Sequence, residues 1–226
     1  MLLGRIAWTR QRVSLCPGRL WYGLPVVELH LDPEALLFPW TSGRCYRKAG
    51  ELGVTRALAP RGFDHWDRLA AVGIRSVSPL PLLRGLGGPL AVAALHRNGT
   101  SPSAACVALR GRRADRDMQE AAHYLVPRVR HLVIAAPEGG RELGEYINRH
   151  FGVPVLPPSE TGDVGLCFSR KTGEEREQIC LSHEGWELGT AVVSAPELRE
   201  EDRTDLSVIE VLWERGKLAK TQINIT

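Results

Sequence analysis

Residues 106–169 constrain this chain more than any other stretch, because short apolar segments of strand length alternate there with amphipathic segments of helix length. Residues 105–109 form a continuous apolar strand. The spacing then predicts a helix over 114–126, with Met118, Ala121, Ala122 and Leu125 on one stripe and Asp117 and Glu120 opposite. Pro127 stops it. Residues 132–135 make the next strand. A helix over 141–151 carries Leu143, Ile147 and Phe151 at four-residue steps and ends at Gly152. Residues 153–156 and 164–168 supply two more strands. Strands this apolar are buried on both faces, so the pattern predicts an α/β fold: a mainly parallel, layered sheet with helices on both faces.

The same alternation begins upstream. Residues 54–59 read as a buried strand, 62–73 as a helix bearing Phe63, Trp66, Leu69 and Ala70, and 74–77 as a strand. Residues 80–87 read as a proline- and glycine-bounded connection, and 88–97 as a small-residue helix ended by Asn98-Gly99. The first fifty residues read as short strands and turns, with 5–15 and 26–31 extended. Asp32-Pro33-Glu34 would open a short helix capped by Asp32. Trp8, Trp21, Tyr22 and Trp40 are assigned to packing.

After residue 169 helices become sparse. Residues 165–169 and 178–182 read as hairpin arms joined through the polar stretch 170–177, and 186–195 as extended. Residues 206–218 form a helix with Leu206, Ile209, Leu212 and Trp213 inward, and 222–225 a last strand. The expected organisation is therefore a strand-and-turn region over 1–50, a Rossmann-like α/β core over 51–169, and a β-hairpin-rich extension over 170–226 packed on that core.

The order of elements over 88–169 resembles the nucleotide-binding domain of shikimate-dehydrogenase-like and glutamyl-tRNA-reductase-like proteins. The likeness rests on the helix 88–97 leading into the first strand, on Phe151-Gly152-Val153-Pro154-Val155 closing the second helix, and on Gly162-Asp163-Val164 entering the next strand. It implies a Rossmann-like fold. Dinucleotide binding in such domains needs Gly-x-Gly-x-x-Gly after the first strand, because glycine lets backbone and pyrophosphate approach at a helix N-terminus. Here that turn reads Leu109-Arg110-Gly111-Arg112-Arg113-Ala114-Asp115, and Gly111 alone remains. The acidic ribose partner would fall on Glu138, just past Pro137. No Lys-Asp catalytic pair is matched, so only the fold carries over.

Arg110, Gly111, Arg112, Arg113, Glu138 and Gly139 thus form the candidate anion- or nucleotide-binding edge. Guanidinium groups before a helix N-terminus can hold a phosphate or carboxylate in forked geometry. The alternative is that Asp115 and Asp117 pair with these arginines while capping the helix. Pro137-Glu138-Gly139-Gly140 can likewise approach a ligand or serve as a tight turn.

Other classes find little support. Apolar residues make up 43% and charged residues 24% of 226, which is globular rather than disordered composition. A net charge of +3 does not by itself imply a polyanionic partner. Residues 110–130 carry six arginines but no interleaved aromatic platform, so nucleic acid is not the expected partner. Five cysteines, with no Cys-x-x-Cys pair, fit neither a zinc ribbon nor a disulfide framework and point to a reducing cytoplasm. The N-terminal residues lack a signal-like apolar run, and 79–95 is too broken to span a bilayer. Asn98-Gly99-Thr100 is read as a turn. No metal-binding histidine spacing, Gly-x-Ser-x-Gly elbow or Walker loop occurs, and His65 is the best acid–base candidate. The expected function is binding or regulation without standard NAD(P) chemistry. The alternative is an enzyme acting on a small phosphorylated or carboxylated substrate at the C-terminal edge of the sheet. The cofactor is left unknown, and homo-oligomerisation stays open.

Overall fold

The computed structural model describes residues 2–10, 13–32, 34, 38–169 and 174–226, which form two compact units. The first comprises Met1–Ser78 with Glu210–Lys217, the second Pro79–Ile209 with Leu218–Thr226. Among the described residues no helix is long and apolar enough to cross a membrane.

In the first unit, β1 (Leu2–Trp8), β2 (Ser14–Trp21), β3 (Leu24–Leu31), β4 (Val54–Leu58) and β5 (Arg75–Ser76) form one sheet in the order β2-β3-β1-β4-β5. The four strands other than β2 run parallel, and β2 pairs antiparallel with β3. The segment expected as one extended run over 5–15 is two strands. Residues 51–78, expected with the core, hydrogen-bond onto the N-terminal strands instead.

Helix α1 (Phe38–Glu51) corrects the reading of the first fifty residues as strands and turns. Its Ser42, Cys45, Tyr46 and Ala49 are buried at helical steps, and the last three join Ile6, Val27, Leu29 and Leu31 in the core. Gly43 and the weak helix formers around it hide this period in the sequence. Asp32 Oδ1 accepts the Glu34 N–H at 3.1 Å, while the expected helix start at Pro33 lies outside the described residues. Trp21 packs as expected, but Trp40 is 77% exposed. Helix α2 spans only Trp66–Ala70.

The second unit holds α3 (Leu80–Gly85), α4 (Gly87–Arg97), β6 (Cys106–Arg110), α5 (Arg116–Leu125), β7 (His131–Ala135), α6 (Gly140–Phe151), β8 (Val155–Leu156), β9 (Val164–Cys167), β10 (Glu177–Ser182) and β11 (Gly185–Glu187). Its six strands lie in the order β11-β10-β9-β6-β7-β8, all parallel except β11. This is the mainly parallel, Rossmann-like layered α/β arrangement that the sequence predicts. A separate antiparallel pair, β12 (Val193–Ser194) and β13 (Asn224–Ile225), and helix α7 (Leu206–Glu214) follow.

Two local expectations fail. Residues 80–87 contain α3, because Pro81 falls in a first turn where its missing N–H costs no bond. Residues 165–169 and 178–182 are not hairpin arms: β9 and β10 run parallel, with Val164 opposite Glu177 and Cys167 opposite Cys180. Residues 170–173 of the polar stretch between them lie outside the described residues. The hairpin is β10–β11, closed by Ser182 Oγ donating to the Gly185 carbonyl at 3.0 Å.

Candidate functional site

In the second sheet the chain reverses its direction of travel between β6 and β9, and open α/β sheets bind ligands in the crevice outside the strand C-termini at such a point. A crevice of about 620 Å³ lies there. Arg112, Arg113 and Asp115 from the β6–α5 loop line it with Glu138 from beyond β7. Phe168 and Ser169 follow β9, and Ser182, His183 and Glu184 come from the β10–β11 turn. Three of the six candidate residues, Arg112, Arg113 and Glu138, thus line one crevice.

The turn that replaces the phosphate cradle is zipped to its neighbour. Gly111 N–H donates to the Ala135 carbonyl at 3.0 Å, Glu138 N–H to Arg112 at 3.2 Å, and Ala114 N–H to Glu138 at 2.8 Å. Arg113 and Glu138 form a parallel bridge beyond the named strands. These amides extend the β6–β7 ladder and are not aimed at a ligand. Gly111 is present for close packing: a Cβ there would stand 2.8 Å from Met118 Cε. Gly139 is a turn residue, left-handed at φ 75°, at the N-cap of α6.

The N-terminus of α5 already holds two carboxylates. Asp115 Oδ1 accepts the Met118 N–H at 3.1 Å as the cap. Arg84 on α3 reaches Asp115 Oδ2 at 3.2 Å and Asp117 Oδ2 at 3.0 Å, and donates to the Phe168 carbonyl at 3.0 Å. Its guanidinium carbon lies 5.5 Å from the centre of the Phe168 ring. The aspartates therefore cap and pair as the alternative reading has it, but their partner is Arg84 and not the loop arginines. Sequence reasoning missed Arg84 because it lay in a segment read as a connection.

Arg110 is buried, with its guanidinium turned onto protein acceptors. Its Nε donates to Glu175 Oε1, its Nη1 to the Pro158 carbonyl at 3.2 Å and its Nη2 to the Glu160 carbonyl at 2.9 Å. The Glu175 side chain is 0% exposed. Arg112 and Arg113, by contrast, are exposed and free to meet a ligand. Phe168, Ser169, Ser182, His183 and Glu184 were also missed, since nothing local ties the β10–β11 turn to this crevice.

Elsewhere, His65 precedes α2 with its ring edge-on to Phe63 and its Nε2 3.4 Å from Asp64. Burial pushes the Cys106 thiol up to about 11, helped by Asp163, Glu160 and Glu175, so it is a protonated, unreactive thiol at neutral pH. Among the described residues no group of His, Cys, Asp and Glu is disposed to hold a metal ion.

No family model matches the chain, and no curated protein matches it. Among solved structures it is similar to L-tryptophan dehydrogenase from Nostoc punctiforme, at 16% identity and a TM-score of 0.33 over 65% of this chain and 44% of that one. It is also similar to aspartate transcarbamoylase from Trypanosoma cruzi, at 12% identity and a TM-score of 0.29 over 74% and 62%. The chain thus spans 44% to 62% of the lengths of these two proteins. Likenesses this slight carry no argument about ligand or activity.

Proposed function

We propose that the second unit binds a small anionic ligand in the crevice at the C-terminal edge of its sheet, and that this ligand is not a nicotinamide dinucleotide. One observation carries the reading: Asp115 and Asp117, bridged by Arg84, occupy the α5 N-terminus where a pyrophosphate would have to lie. A dinucleotide would meet two fixed carboxylates there, and the glycines that permit backbone approach are replaced by arginines. Arg112 and Arg113 remain as exposed guanidiniums on the crevice wall, suited to a carboxylate or phosphate.

Isothermal titration with NAD(H) and NADP(H) tests the exclusion, and micromolar affinity for either overturns it. A thermal-shift screen of small phosphorylated and carboxylated metabolites tests the positive part, since ligand binding raises apparent stability by mass action. The hit should lose its shift in Arg112→Ala/Arg113→Ala; an unchanged shift moves the ligand elsewhere. His183 favours a catalytic version, as it puts a titratable imidazole on the same crevice wall. Turnover of the hit that disappears in His183→Ala would make the protein an enzyme. Five free cysteines support a reducing, cytoplasmic setting.

A further inference from the structure

The sheet of the first unit has two unlike faces. Cross-strand partners share a face, so the registers put Leu3, Arg5 and Ala7 of β1 beside Val26, Glu28 and His30 of β3. From β2, Cys16 stands opposite Glu28 and Arg19 opposite Val26. The other face carries Ile6, Val27, Leu29 and Leu31 into the core. The face bearing Glu28 is divided along its length. Its N-terminal end carries the buried Leu3, Val26 and Trp21. Its C-terminal end, where the parallel strands β1 and β3 both finish, is charged.

Two guanidiniums and an imidazole converge there on one carboxylate. Glu28 Oε1 receives Arg5 Nη1 at 3.0 Å, while Oε2 lies 3.3 Å from His30 Nε2 and 3.6 Å from Arg19 Nε. The Glu28 side chain is buried, Arg5 and His30 are partly exposed, and Arg19 is 65% exposed. Arg5 is steadied by Trp21, whose ring centre lies 5.7 Å from the guanidinium carbon. Stability does not account for this crowding. One cation satisfies a buried carboxylate; a second, solvent-exposed at 3.6 Å, adds little, and gathering like charges is unfavourable. The two guanidiniums against one carboxylate leave an excess of one positive charge. Arg5 gives a single hydrogen bond to Glu28, which leaves guanidinium N–H groups for another acceptor.

We propose that this charged end of the sheet face is a second binding site, for a compact oxyanion of the phosphate class. Arg5 and Arg19 supply forked donors, His30 stands beside them, and Glu28 orients Arg5 by accepting from one of its guanidinium nitrogens. The site is built wholly from the first unit and is independent of the crevice in the second.

The test is an amide-resolved NMR titration of the whole chain with inorganic phosphate at low ionic strength, with chloride at matched ionic strength as control. Saturable shifts at Arg5, Cys16, Arg19, Glu28 and His30 that chloride does not reproduce are expected, with a dissociation constant of about 1 mM or tighter. Arg19→Ala, on an exposed side chain, should keep its melting temperature and bind about tenfold more weakly; Arg19→Glu should not bind. Equal shifts with chloride, shifts confined to the loop 111–115, or unaltered affinity in both Arg19 variants overturn the proposal.

Discussion

Three arginines close together in space have three different roles, and burial and partners decide which is which. Arg84 is 14% exposed and bridges two carboxylates at a helix start. Arg84→Ala leaves Asp115 and Asp117 repelling each other beside a lost carbonyl contact, and should cost about 2 kcal/mol in urea unfolding. Arg112→Ala, on an exposed side chain, should cost under about 0.5 kcal/mol. Arg110→Met strands the buried Glu175 carboxylate and should cost about 3–5 kcal/mol, most of it recovered in Arg110→Met/Glu175→Leu. A double variant as unstable as the single one would show that the pair itself holds the segment. None of this ranking was legible in the sequence. Arg110, Arg112 and Arg113 look alike there, and the partner that buries Arg110 lies 65 residues away. What could be read was the lost glycine pattern and the Asp115 cap, both of which are local.

At the level of elements, legibility followed how strongly each segment repeats its pattern. Helices α5 and α6 show unbroken apolar stripes and were found nearly to the residue, whereas α1 and α3, interrupted by glycine and proline, were missed. One prediction has the opposite sign to simple propensity, and another rests on burial alone. Gly88→Ala should raise helix propensity by about 1 kcal/mol, but its Cβ would stand 2.6 Å from Tyr124 Cδ1 on α5. Overpacking of that kind costs about 1–3 kcal/mol, so a net loss is expected in thermal or urea unfolding. In α1, burial pushes the Cys45 thiol up to about 11 and the Tyr46 hydroxyl up to about 12. Both are neutral acids that ionise more readily unfolded. Their contribution is complete below the unfolded values and is lost as pH rises through the folded ones. Stability should therefore fall between about pH 9 and pH 11 by up to about 1.4 kcal/mol per unit for the thiol. Cys45→Ala should flatten the slope in that window. An unaltered slope would mean that other groups set it.

At the scale of the whole molecule, the order of the chain and the order of its packing diverge. The division into strand region, core and extension follows the sequence from left to right. The contacts instead return residues 210–217 to the first unit. There Glu214 pairs with Arg56, and a Cβ on Gly23 would stand 3.6 Å from Lys217 Nζ. Periodicity reports the neighbours of a residue along one element, but it is silent on which sheet an element returns to. The parallel pairing of β9 with β10 was hidden for the same reason. This return has an energetic consequence. Val211 and Leu212 are each 1% exposed, and burying two such side chains is worth about 3–6 kcal/mol. That is a large share of a domain stability of about 5–15 kcal/mol. Leu212→Ala should therefore cost about 3 kcal/mol, and the loss should not be uniform. Native-state hydrogen exchange should show protection falling at the amides of β1, β3 and β4, with those of β6 and β7 holding close to their original values. An equal fall in both sets would mean that the two units unfold as one cooperative body.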